Sequence, residues 1–309
     1  MEVKYYGVDV SKAKLDVACD GRVVQIENTK SAIKCFVGKM AAGSFVVMEA
    51  TNTYHLVMAD ICHICGMRIF VVNPRLTRRY REANGLRGHN DRMDALTLAR
   101  YVEREHDGLR EYVPLSQDQR RLRTLVRRRW KLVVVRTQLV ESLGSIKDIG
   151  RELKSLLARI DALIAKIELL IDKQLEGNSG RTRIATIKGV GPVVSAVLVA
   201  DLDAYAFASA DAFVAYYGLD AMPNDSGRRR GERKLSKQGQ RLGRAMLYTA
   251  AMSAVTSKVW KPLYERCLER GLKKVQALIV VARKIARTAW SIHKHNTTFD
   301  PNRVYRALT

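Results

Sequence analysis

The chain has 309 residues, 47% of them apolar, which is material for about two cored domains and excludes a disordered chain. Its formal net charge of +23 is uneven: residues 1–105 carry 16 Lys/Arg against 12 Asp/Glu, and the remainder 38 against 19. The expected partner is therefore a polyanion gripped mainly by the C-terminal two-thirds, while no lipidation signal, amphipathic anchor or apolar run of roughly 18 residues points to a membrane.

The start, Met1-Glu2-Val3-Lys4, has no signal-peptide pattern, so a cytoplasmic location is expected. Five cysteines form an odd, scattered set, which argues against disulfides. Cys62-His63-Ile64-Cys65 has no second pair to complete a zinc site.

In chain order, residues 3–10, 14–19 and 22–27 read as three short strands, the last two joined by the turn Cys19-Asp20-Gly21-Arg22. Residues 30–42 read as helix, 44–49 as a fourth strand, 53–65 as helix, and 67–72 as a fifth strand ending at Asn73-Pro74. Three strands followed by alternating helix and strand fit an α/β domain of the RuvC-like, ribonuclease H type over residues 1–106.

The first strand carries one carboxylate, Asp9, in an apolar setting. A buried acid needs a metal, a basic partner or a strand end. Glu49 closes the fourth strand, and if the two strands are adjacent and parallel both acids emerge at one sheet edge. Asp91 and Asp94 stand i, i+3 at a helix start and share a face; the same pair also reads as a helix cap. Together Asp9, Glu49, Asp91 and Asp94 make a hard-oxygen set suited to Mg²⁺, the ion used in pairs for in-line attack at phosphorus.

Beyond a polar hinge at 107–117, a helical tract runs to about residue 176. Leu125, Leu132, Leu139, Ile146, Leu153, Ile160 and Ile167 recur every seven residues, a coiled-coil seam over 115–176. Gly144 and Gly150 weaken its middle, and Arg129 and Arg136 occupy places that want apolar residues. Two helices broken between Leu143 and Arg151 are expected, forming either an intramolecular antiparallel hairpin or a joint between subunits.

Gly177-Asn178-Ser179-Gly180 reads as a linker into a mainly α region, 180–309. In it Ile184 to Ala196 reads as helix, Gly-x-Gly turn, helix, a helix-hairpin-helix-like motif in which Lys188, Gly189 and Gly191 would meet a phosphate. From Ser226 to Arg244 there are eight basic residues and one acid: Arg228, Arg229, Arg230, Arg233, Lys234, Lys237, Arg241 and Arg244 are set among glycines, a loop built to hold nucleic-acid backbone. By chemistry alone Ser226 in that loop reads as a turn serine. Residues 242–292 read as helical packing of the last domain.

Gly7-Val8-Asp9-Val10-Ser11, Met48-Glu49-Ala50-Thr51 with Tyr54, and Asp91-Arg92-Met93-Asp94-Ala95 resemble the RuvC-like half of the DEDD transposases. These are the bridge-RNA-guided recombinases of insertion-sequence family one-ten, related to the Piv-type DNA invertases. The segment around Ser226 resembles the transposase half of the same family, in the same order along the chain. The resemblance implies a DNA recombinase with Mg²⁺ held by the four acids, Ser226 as covalent nucleophile, donor and target DNA and a guide RNA as partners, and a homo-oligomer as the working form. Ser236 is a rival nucleophile. From the residues alone, a hydrolytic junction nuclease or a non-catalytic nucleic-acid-binding scaffold remain alternative readings.

Overall fold

In the computed structural model the described residues are 3–51, 53–86, 90–222, 225–226, 229–230 and 234–306. The chain divides into two compact units, Met1–Pro114 and Leu115–Thr309.

The first unit is a five-stranded mixed sheet. Its strands are β1 (Tyr5–Val10), β2 (Lys14–Cys19), β3 (Arg22–Glu27), β4 (Phe45–Glu49) and β5 (Arg68–Val72), in the order β3-β2-β1-β4-β5. β1 pairs antiparallel with β2 and β2 with β3; β4 pairs parallel with β1 and with β5. The parallel pairs are joined through α1 (Lys30–Val37) and α2 (Leu56–Ile64), and α3 (Pro74–Ala83) and α4 (Asp91–Glu105) follow β5. Alternation along the strands sends Tyr6, Val8 and Val10 into one core with Ile33, Met58 and Cys62. The opposite face packs Phe45, Val47, Phe70 and Val72 against Leu98, Tyr101 and Val102 of α4. α3 is absent from the sequence reading, which stopped at Asn73-Pro74. The Asn73 side chain caps it by accepting from the Arg75 amide at 3.0 Å, and Pro74 is its first residue.

The second unit opens with two long helices, α5 (Gln117–Leu143) and α6 (Gly150–Gln174), separated by a short 3-10 turn at Lys147–Ile149, where the glycine-weakened break is expected. They run antiparallel: Arg129 pairs with Glu168 at 2.7 Å and Arg136 with Asp161 at 2.6 Å. The two arginines that interrupt the heptad seam are thus cross-hairpin ion pairs within one chain. The rest is α7 (Ser179–Ala185), α8 (Pro192–Leu202), α9 (Ala210–Tyr216), four two-residue strands β6 (Ala221–Met222), β7 (Asp225–Ser226), β8 (Arg229–Arg230) and β9 (Lys234–Leu235), then α10 (Arg241–Ala254), α11 (Lys261–Glu269), α12 (Lys274–His295) and α13 (Asn302–Arg306). Its core joins the hairpin base (Leu122, Val126, Ile171) to α8, α9, α10 and α12 around Phe213, Tyr217 and Trp260. Among the described residues no helix is long and apolar enough to cross a membrane.

Candidate functional site

Asp9 lies on the α4 face of the sheet, in phase with Tyr5 and Gly7. In the antiparallel register it stands opposite Asp16 on β2, and Asp16 stands opposite Gln25 on β3. Residues opposite one another in such a pair point to the same face. On the other side, β1 and β4 pair Tyr5 with Phe45 through Val8 with Met48, so the next rung sets Asp9 beside Glu49. One row across the sheet therefore reads Gln25, Asp16, Asp9, Glu49.

α4 delivers the next acid. Its N-cap is Asn90, whose side chain accepts from the Met93 amide at 2.7 Å, so Asp91 is the first helical residue and is not used as the cap. The helix crosses β1 at Gly7, where a Cβ would fall 2.1 Å from the Ala99 amide nitrogen and 2.2 Å from the Ala95 carbonyl oxygen. Only glycine admits this approach. Its result is that carboxylate oxygens of Asp9, Asp16 and Asp91 all lie within 4.8 Å of one another.

Like charges at this spacing are mutually unfavourable. The Asp9 carboxyl is pushed up to about 6, first by burial and then by Asp91 and Glu49, with the Val10 amide pulling the other way and Asp16 adding to the rise. An all-carboxylate donor set whose central acid resists ionisation fits a hard divalent cation, which supplies the missing positive charge.

Three acids have their own tethers. Gln25 Nε2 donates to both Asp16 oxygens at 3.1 and 3.3 Å, Thr77 Oγ1 donates to Glu49 Oε1 at 2.5 Å, and Arg81 pairs with Asp94.

In the second unit, backbone hydrogen bonds draw the described residues that follow Tyr216 and those that precede Arg241 together at a neck. The Lys237 amide donates to the Gly218 carbonyl, Gln240 to Tyr216, and Ser236 to Asp220, at 2.9–3.1 Å. A Cβ at Gly239 would lie 2.3 Å from the Gly218 nitrogen, so the strands of the neck meet closer than side chains allow. Above the neck, β6 pairs with β9, and Asp225 and Ser226 pair with Arg230 and Arg229. Ser226 thus belongs to a separate two-residue pairing, which lies in the chain between β6 and β9. Ser236 is at the neck, its hydroxyl donating to Asp220 at 2.5 Å.

With that geometry in place, comparison with known proteins gives two domain matches. Residues 6–148 match the DEDD transposase domain of IS110 elements, and residues 181–265 match the Transposase IS116/IS110/IS902 family. The chain belongs to the IS110-type transposases. Relatives of this type include the pilin gene-inverting protein of Moraxella bovis, 26% identical over 82% of this chain and 81% of its own length. A probable family 20 transposase of Pseudomonas aeruginosa is 24% identical over 83% and 86%. An uncharacterized 42 kDa protein of insertion element IS900 from Mycobacterium paratuberculosis is 28% identical over 50% of this chain and 39% of its own length. The mixed sheet with its acid row and the helical second unit are consistent with a RuvC-like DEDD domain followed by a transposase domain.

Of the four acids read from this transposase sequence, the structure brings Asp9 and Asp91 together and sets Glu49 beside Asp9. Asp94, half-buried three residues on, is engaged by Arg81. Asp16 was not singled out in the sequence. Its signal was the hairpin register: a turn closed by Ser11 and Lys14 sets Val10 opposite Leu15 and hence Asp9 opposite Asp16.

Of the phosphate-contact candidates, Lys188, Lys234, Lys237 and Arg241 are exposed. Arg244 is turned into the neck, donating to the Tyr217 carbonyl at 2.8 Å. Gly189 has a φ of 93° and packs against Ala254, and Gly191 is the N-cap of α8. Arg228 and Arg233 lie outside the described residues, and Ser226, Arg229 and Arg230 are placed by backbone pairing alone.

Proposed function

We propose that this transposase is a DNA recombinase that cuts and rejoins strands through a serine-phosphate link formed on Ser226, with a divalent cation, Mg²⁺, at the carboxylate row. The observation that carries the reading is the gathering of Asp9, Asp16 and Asp91 within 4.8 Å, with Glu49 on the adjacent strand. When bound, the cation supplies charge stabilisation at the phosphoryl group. In the transfer, the Ser226 oxygen forms a bond to phosphorus, the bond from phosphorus to the leaving strand oxygen breaks, and the serine proton ends on that oxygen. Attack by a hydroxyl of the receiving strand reverses the exchange, so no hydrolysis intervenes and the phosphodiester energy is kept. Ser236, hydrogen-bonded at the neck, is the less suited nucleophile.

Donor and target DNA are the substrates, engaged through the basic excess of residues 106–309 and by the helix-hairpin-helix-like turn at Lys188 to Gly191. A structured guide RNA selects them. The working form is a homo-oligomer. A specific observation favours a second reading, hydrolytic cleavage: the acid row is assembled within the first unit alone, with no need of a serine.

A denaturing gel separates the two. Active protein is expected to stay attached to cleaved DNA, Ser226→Ala to lose both cleavage and adduct while still binding DNA, and Ser236→Ala to keep the adduct. Free DNA ends with no adduct from active wild type would establish hydrolysis instead.

A further inference from the structure

We propose that α3 is a positioning element of the acid cluster, with Thr77 setting the orientation of Glu49 in the carboxylate row and Arg81 that of Asp94 on α4. The inference rests on reading the row as a cation site.

An amphipathic helix ordinarily buries apolar residues on its inner face. The buried residues of α3 are instead Thr77 and Arg81, 3% and 7% exposed. They are four residues apart, one turn, and so share a face. Thr77 Oγ1 donates to Glu49 at 2.5 Å and also lies 3.0 Å from the Pro74 carbonyl, which holds the hydroxyl close to its own helix. Arg81 Nη1 pairs with Asp94 Oδ1. Tyr80, between them, stacks edge-on against Tyr101 of α4 with ring centroids 5.0 Å apart, fastening α3 to the helix that carries Asp91 and Asp94.

A guanidinium beside a cation site opposes metal binding on charge alone. What Arg81 supplies is geometry: a planar fork fixes a carboxylate in one rotamer more firmly than a lysine does. Hydrogen-bond partners behind metal-ligating carboxylates are worth about 10- to 100-fold in metal affinity. Asp16 is held in the same manner by Gln25, so the row is braced at both ends, by β3 and by α3.

The experiment is Mn²⁺ binding to the full chain followed by electron paramagnetic resonance, with melting of the metal-free variants as a check on folding. Thr77→Val, nearly isosteric, and Arg81→Met are each expected to weaken Mn²⁺ by about 10-fold, with Thr77→Ser restoring most of the affinity and Arg81→Lys part of it. Unchanged affinity in Thr77→Val and Arg81→Met overturns the proposal. Tighter binding in Arg81→Met also overturns it, since Arg81 would then act only as a competing charge. Asp9→Asn is expected to lose Mn²⁺ binding. Full binding in that variant would remove the cation site itself, whereas loss there with wild-type affinity in the α3 variants would remove only the positioning role.

Discussion

Asp9 of the sheet is half-buried and Asp201 of α8 fully buried, and their neighbours are opposite. Asp201, 2% exposed, accepts from the Tyr217 hydroxyl at 3.0 Å and the Tyr216 hydroxyl at 3.2 Å and faces Arg123 at 3.5 Å. Burial pushes its carboxyl up, and the guanidinium and both hydroxyls pull it back. Around Asp9 burial pushes the same way, but the facing groups are Asp91, Glu49 and Asp16, which push further. Burial alone does not mark a functional acid; the sign of what faces it does. The acid of the second unit is a fastening between α5, α8 and α9, whereas the acid of the first unit faces other acids.

That contrast is sharpest where the two acids are removed. Asp9→Asn is expected to lower strand cleavage by about a thousandfold or more, because several kcal/mol of barrier lowering pass through this site. Yet the same variant is expected to be the more stable protein without metal. The folded chain binds the Asp9 proton more tightly than an ordinary aspartate, whose value is 3.8. The favourable contribution is therefore complete below about pH 4 and fades as pH climbs through about 6. Asparagine imitates the protonated acid at every pH. Thermal melts in chelator should show Asp9→Asn above wild type at pH 7–8 and level with it near pH 4; a lower melting point at pH 8 would break the comparison.

Asp201→Ala comes next, with the opposite sign. It leaves Arg123 in the core without its counter-charge and is expected to cost about 3–5 kcal/mol in denaturant unfolding. A loss under about 1 kcal/mol would mean that the tyrosines alone hold this junction.

Gly7→Ala tests how the acids of α4 and β1 meet. The added methyl collides with backbone at Ala95 and Ala99, so about 1–3 kcal/mol of stability should go, together with weaker Mn²⁺ binding as Asp91 moves off Asp9. Lost stability with unchanged metal affinity would uncouple the crossing from the site. The smallest effect belongs to the solvated pair of the hairpin: Arg136→Ala, facing Asp161, should leave the denaturation midpoint in place.

Short apolar runs bounded by turn signals located all five strands of the first unit, and strand ends and a helix start pointed to Asp9, Glu49 and Asp91. The seven-residue spacing and the two glycines located the long helices and their break, because these are local signals of period and backbone cost. Asn73-Pro74 was read as the end of a strand, which it is; its second role, capping α3, was missed and became visible only in the structure, where Thr77 and Arg81 of that helix pack against two acids. Arg129 and Arg136 looked like faults in a seam until the antiparallel partner supplied Glu168 and Asp161. Asp16 joined the site through register, and Asp91 through the crossing at Gly7. Periodicity belongs to a segment and can be read from it. Which carboxylates share 4.8 Å belongs to the pairing of segments far apart in the chain, and that was decided only when the sheet and α4 came together.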